Sequence, residues 1–153
     1  MTRLFSRKGG WSEVYTKGYR SGLEEANQKY MAEAGYEVPY EAFEIPYEVP
    51  ASDHKYTPDF VLLNGIIIET KGLLETSDRK KHLLIKKQYP HLDIRFVFSN
   101  PNTKLYKGSP TTYAKWCETN GFLYAKKFPP LSWFKEARKD TSGLVPKKGR
   151  NTP

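Results

Sequence analysis

Two carboxylates and a lysine within thirteen positions of one another carry the first chemical signal in this chain. In "YTPDFVLLNGIIIETKG", residues 56–72, Asp59 opens an apolar run, Glu69 closes a second one, and Lys71 follows two positions later. Asn64-Gly65 between the runs predicts a β-hairpin. Its loop length decides by parity whether the charges can cooperate. If Asn64-Gly65 alone forms the loop, Asp59 faces Thr70 and points away from Glu69. If Leu63-Asn64-Gly65 forms a three-residue loop with Gly65 left-handed, Asp59 faces Glu69, Val61 faces Ile67, and Lys71 shares their face. Like charges directly opposite one another destabilise a bare sheet, so the second register makes sense mainly when a cation bridges them.

The chemistry of such a trio is that of a hard cation. Mg²⁺ takes oxygen ligands, usually one or two carboxylates together with waters and phosphate oxygens. Asp59 and Glu69 are the candidate ligands, and the Thr70 backbone carbonyl between Glu69 and Lys71 is a further one. An ammonium at Lys71 can position or help deprotonate an attacking water and can stabilise a pentavalent phosphoryl transition state. Zinc is disfavoured, because Cys117 and His54, His82 and His91 show no ligand spacing. No Gly-rich phosphate cradle of the nucleotide-binding kind is present.

The elements that must position these residues follow from periodicity. "SGLEEANQKYMAEAG" places Leu23, Ala26, Tyr30 and Ala34 on one helical face and stops at Gly35. "YEVPYEAFEIPYEVP" is strand-like, but Pro39, Pro46 and Pro50 confine it to a sheet edge or an extended connector. "SDRKKHLLIKKQYP" predicts a second helix capped by Ser77 or Asp78, with Leu83 and Leu84 as its apolar contacts. "DIRFVFSN" predicts a strand, "PTTYAKWCETNG" a helix capped by Gly121, "FLYAKKF" a strand and "LSWFKEARK" a last helix. The lone Cys117 reads as a small buried side chain on its helix rather than a nucleophile.

Net charge is +8, and it is unevenly spread. Residues 1–20 and 138–153 each hold five bases against one acid, whereas 21–59 hold nine acids against Lys29 and Lys55. Basic ends rich in small and polar residues predict flexible arms at 1–20 and 138–153 around a domain at 21–137. They suit a polyanion, or serve only as solubilising tails. No run of about eighteen apolar residues and no apolar leader stretch occurs, which predicts a cytoplasmic chain without a membrane partner.

The Pro-Asp, Glu-x-Lys pattern resembles that of metal-dependent nucleases of the restriction-endonuclease-like superfamily. With "RSGLEE", "IPYEVPASDHKYTPDF", "ETKG", "DRKKHLLI", "LDIRFVFS" and "TKLYKGSPTTY", the chain resembles the bacteriophage endonuclease I family, the Holliday-junction resolvases of T-odd phages, over roughly residues 20–135. That resemblance implies an α/β fold with a mixed central sheet flanked by helices, and an intertwined, domain-swapped homodimer. It implies a crossover junction endodeoxyribonuclease that hydrolyses branched DNA with Mg²⁺ (Mn²⁺ substituting), leaving 5′-phosphate and 3′-hydroxyl ends in the host cytoplasm. Asp59, Glu69 and Lys71 match catalytic positions, and Glu24 of "SGLE" matches the remaining acid and metal ligand. In the implied dimer the connector around residues 47–52 crosses between subunits, so that Glu24 serves the site containing the partner's Asp59.

Each assignment has a plainer rival. Glu24 fits a capping box with Ser21, Asp59 fits a turn cap after Pro58, and Lys71 fits an edge-strand gatekeeper. Arg79, Lys80 and Lys81 sit at the start of a helix, where cations oppose the macrodipole, which favours a phosphate partner over a solvated face. Lys104 and Lys107 in "NTKLYKGSP", and Arg20 in the basic arm, complete the candidate DNA contacts. Nothing resembles a base-reading recognition helix, so recognition would rest on branch shape. A non-catalytic DNA-binding protein and a nuclease of linear or damaged duplex are the competing classes.

Overall fold

The structure is a computed structural model that describes residues 22–49 and 52–147. Helix α1 (Gly22–Glu33) leads into strands β1 (Phe43–Val49) and β2 (Ser52–Tyr56). Then come β3 (Phe60–Val61), β4 (Ile67–Lys71), helix α2 (Thr76–Gln88) and β5 (Ile94–Phe98). Helix α3 (Tyr113–Asn120), β6 (Tyr124–Lys126), a 3₁₀ turn (Leu131–Lys135) and β7 (Val145–Pro146) follow.

Strands β3-β4-β5-β6 form one four-stranded sheet in that order, antiparallel between β3 and β4 and parallel thereafter. Helices cover both faces, which is why "GIII" and "IRFVF" are continuous apolar runs rather than alternating ones. Ile67, Phe96 and Phe98 face Ile85 of α2 and Tyr113, Trp116 and Cys117 of α3. Ile68 and Val97 face the opposite way, toward Met31 of α1 and Trp133. The mixed, helix-flanked sheet expected from sequence is therefore present. Cys117 is buried as expected, and burial followed by the nearby Glu118 pushes its thiol up to about 12, too high for a nucleophile.

The hairpin takes the three-residue loop. Val61 pairs with Ile67 and Phe60 with Ile68. The Gly65 N–H donates to the Leu62 carbonyl at 2.8 Å, and Gly65 has φ +93°. The residues after the 3₁₀ turn hold this loop from outside. Asn64 Nδ2 donates to the carbonyls of Trp133 and Glu136 at 2.8 and 3.2 Å, and the Lys139 N–H donates to the Asn64 carbonyl at 2.7 Å. Arg95, buried within β5, anchors that segment with paired bonds of 2.8–2.9 Å to Asp93 and to Glu136 while stacking on Trp133.

Several local expectations give way to tertiary contacts. Helix α1 does not bury Ala26 or Ala34, which are exposed; it buries Glu24, Glu25, Asn27 and Met31. Strand β1 was expected only at an edge, yet it lies between β2 and β7 in a three-stranded sheet. The proline rule survives locally, because β7 pairs only with Phe43 and Glu44 and stops short of Pro46. Beyond that point α2 closes the edge: Gln88 bonds both the N–H and the C=O of Glu48, and the Tyr89 hydroxyl donates to the Pro46 carbonyl. Helix α2 starts one turn earlier than its predicted cap, after Glu75, with Asp78 in its first turn; Leu83 is exposed. The last predicted helix is a short 3₁₀ turn. The basic segment from Arg138 onward, expected as a loose tail, belongs to the fold as far as Lys147 and supplies β7; the arm at 1–20 lies outside the described residues.

Two outcomes follow for stability. Gly65→Ala forces a left-handed alanine whose Cβ lies 2.8 Å from Thr141 Cγ2, so chemical denaturation should register a loss of about 1–3 kcal/mol. The Glu136 carboxyl is held down at about 2, first by the Arg95 hydrogen bonds, against an ordinary value of 4.5. A lowered carboxyl contributes stability above its unfolded value and loses it as pH falls toward the folded value. The stability gap between wild type and Glu136→Gln should be full at neutral pH, shrink between about 4.5 and 2, and vanish below.

Candidate active site

The three-residue register places Asp59 one step before the Phe60↔Ile68 pair, beside Glu69 and Thr70, and both acids are withdrawn from water, at 0% and 1% exposure. Asp59 sits just before β3, where its carbonyl accepts the Glu41 N–H at 2.9 Å. Its side chain is fixed by the next strand. In a parallel ladder alternate residues turn both backbone groups toward one neighbour. Ile67 N–H and Lys71 C=O face β5, bonding Asp93 and Ser99, so Thr70 turns its backbone toward the β3 side. There its N–H donates to Asp59 Oδ2 at 2.8 Å, and its hydroxyl donates to the same oxygen at 2.7 Å. By the same alternation the Thr70 carbonyl faces that side too.

Burial, the Glu69 carboxylate and the Glu24 carboxylate together push the Asp59 carboxyl up to about 8, with the Thr70 bonds opposing them. The coupling to Glu24 is within a single chain. Glu24 comes from α1, on the other face of the sheet, and is itself buried. Ser21, its proposed capping partner, lies outside the described residues.

Glu69 is held at both oxygens. Tyr56 Oη donates to Oε1 at 2.6 Å, and Lys71 Nζ lies 3.4 Å from Oε2. Lys71 also donates to Asp78 Oδ1 at 3.0 Å, while Asp78 Oδ2 accepts the Glu75 N–H at 3.0 Å and so caps α2. Burial alone would lower the Lys71 pKa, but Glu69 and Asp78 outweigh it and raise it, which keeps the ammonium charged. Sequence reasoning named Asp78 only as a cap and did not name Tyr56 at all.

The basic candidates separate. Arg79 turns back on its own helix start, donating to the Leu74 carbonyl at 2.7 Å and to Thr76 Oγ1 at 3.0 Å. Lys81 Nζ lies 5.1 Å above the Tyr56 ring. Lys80, Lys104 and Lys107 are exposed, the last two on the loop that follows β5. Lys126, which sequence reading passed over, lies in one row with Lys71 across β5, since both pair with Phe98. Arg20 lies outside the described residues. Of the three histidines His82 is fully buried, with neither ring nitrogen hydrogen-bonded among the described residues, and burial keeps it neutral. The acidic stretch is partly internal, since Glu24, Glu25, Glu41 and Asp59 are all buried.

Among the described residues no three His, Cys, Asp or Glu side chains form a ready-made metal cage. Mg²⁺ does not need one, as one or two carboxylates with waters and phosphate oxygens suffice. Asp59, Glu69 and the Thr70 carbonyl form an all-oxygen set, and the burial and neighbouring acids that lift Asp59 are what a cation would offset. The residues therefore fit a hard divalent ion.

An acid pair and an ion-paired lysine at the carboxyl edge of a helix-flanked sheet place the chain in a class of α/β proteins whose ligands bind where parallel strands end. The family model described as "Phage endonuclease I" matches residues 5–151, and the chain belongs to that family. It is 53% identical over 134 residues to "Endodeoxyribonuclease 1" of Enterobacteria phage T3, covering 86% of this chain and 88% of that protein. It is 55% identical over 122 residues to "Endonuclease I" of Escherichia phage T7, covering 80% and 82% respectively.

Removing one of the crowded charges should stabilise the cation-free protein. Asp59→Asn keeps the shape and relieves the repulsion from Glu69 and Glu24, so its melting temperature in chelator should rise above that of wild type. Added Mg²⁺ should raise the melting temperature of wild type and leave that of Asp59→Asn nearly unchanged.

Proposed function

We propose that the chain is a Mg²⁺-dependent, structure-selective endodeoxyribonuclease that resolves four-way DNA junctions. The observation that carries this reading is the packing of Asp59 and Glu69 around Thr70 with Lys71 ion-paired beside them, in a chain of the phage endonuclease I family. Asp59, Glu69 and the Thr70 carbonyl would hold the ion, with Glu24 as the further acid. When bound, it supplies charge neutralisation at the phosphate and lowers the pKa of a water.

The chain's own residues supply the rest. Asp59 is locked by two donors from Thr70, and Glu69 is locked at both oxygens, so neither must reorganise when the phosphodiester arrives. The Lys71 ammonium, held by Glu69 and Asp78, stands where it can donate to the attacking water or to a non-bridging phosphate oxygen. Water adds to phosphorus, the bond to the 3′ oxygen breaks, and that oxygen takes a proton, giving 5′-phosphate and 3′-hydroxyl ends. Lys80, Lys104 and Lys107 are exposed and suited to flanking phosphates.

The reading includes a homodimer, with the chains crossing at the connector around residues 47–52. In the single chain β1 and β2 pair antiparallel from Val49↔Ser52 to Ile45↔Tyr56. Exchange of the chains at this connector would let the same ladder form between two chains, the low-cost route by which domains swap. Each α1 would then carry Glu24 to the partner's Asp59, and two sites at fixed separation would cut two strands of one junction. Among the described residues no helix is long and apolar enough to cross a membrane, and host cytoplasm is the compartment this reading implies.

A labelled four-way junction with Mg²⁺ tests the proposal. Wild type should cut it in preference to linear duplex of the same sequence, chelator should abolish cutting, and Lys71→Ala should be slower by about 10²–10⁴-fold. Binding that weakens steeply with salt without any cleavage would instead identify a DNA-binding protein.

A further inference from the structure

Strand β2 has one buried residue. Ser52, Asp53, His54 and Lys55 are exposed, and Tyr56 alone, at 2% exposure, enters the core. A tyrosine at the end of an exposed strand would serve as an ordinary anchor if its hydroxyl reached water or a backbone carbonyl. Here the hydroxyl meets a carboxylate that is itself 1% exposed, at 2.6 Å, a length typical of a charge-assisted bond.

We propose that Tyr56 is a positioning residue for the cation site: its hydroxyl fixes the Glu69 carboxylate through Oε1, turning Oε2 toward Lys71 and the ion. This rests on the reading of Asp59 and Glu69 as cation ligands. A carboxylate offers roughly four lone-pair directions. One donor on Oε1 and the Lys71 ammonium near Oε2 fix the carboxylate plane and leave lone pairs for an ion. Without the hydroxyl, the longer Lys71 contact is the polar side-chain contact left to Glu69 among the described residues.

The ring of Tyr56 is held in turn. His82 packs edge-on against it with centroids 4.9 Å apart, and Lys81 lies above it at 5.1 Å. Both come from α2, the helix whose first turn supplies Asp78 to Lys71. A single rigid helix therefore sets Glu69 through Tyr56 and Lys71 through Asp78. This also gives the buried His82 a use: being neutral, it fills the space against an aromatic ring without adding charge beside the acids.

The test is Tyr56→Phe, which deletes one oxygen and keeps the ring contacts. Calorimetric titration of the full chain with Mn²⁺, without DNA, should show binding weaker by about ten-fold or more. The Mg²⁺ concentration for half-maximal junction cleavage should rise similarly, with the rate largely restored at saturating Mg²⁺. In an E69Q background the same change should cost no further Mn²⁺ affinity. Wild-type Mn²⁺ affinity in Tyr56→Phe, or an equal added loss in the E69Q background, overturns the role of Tyr56 and leaves the nuclease reading standing. Failure of wild type to take up Mn²⁺ overturns both.

Discussion

The organisation around this edge of the sheet depends on one unfavourable interaction: two carboxylates, Asp59 and Glu69, held away from water and near enough to repel one another. Such a pair persists only when its surroundings over-determine it. Thr70 donates twice to Asp59, Tyr56 and Lys71 engage the two oxygens of Glu69, and Asp78 steadies Lys71. Six side chains from β2, β4, α2 and the approach to β3 are thus committed to one small volume. The apolar sheet beneath them is the rigid mount that such preorganisation needs.

Gly65 translates this requirement into backbone geometry. A loop one residue shorter would send Asp59 to the opposite face from Glu69, with the same side chains and the same composition. The outer segment that grips the loop, from Trp133 through Lys139, therefore acts on the site at a distance. It holds the turn whose parity brings the acids together, and Arg95 holds that segment to the sheet.

What could be read from sequence was what local rules govern. Asn64-Gly65 announces a turn, parity limits it to two registers, and continuous apolar runs in "GIII" and "IRFVF" announce buried strands. The misreadings share a cause, which is polar groups satisfied by partners far along the chain. Helix α1 buries Glu24 and Asn27 rather than its alanines, because Asn27 bonds Lys127 across the fold and Glu24 belongs with the acids. The segment from Arg138 looked loose because its anchors are ion pairs and side-chain bonds to residues more than forty positions away. Tyr56 went unnamed, since nothing local tells a phenol facing solvent from one facing Glu69.

Gln88 and Tyr89 occupy the outward backbone groups of Glu48 and Pro46, along the part of β1 that β7 leaves uncovered. An intruding strand finds no ladder to extend on that side. Edge-to-edge growth is closed off on that side of β1, because the helix end has already used the backbone groups that a further strand would need.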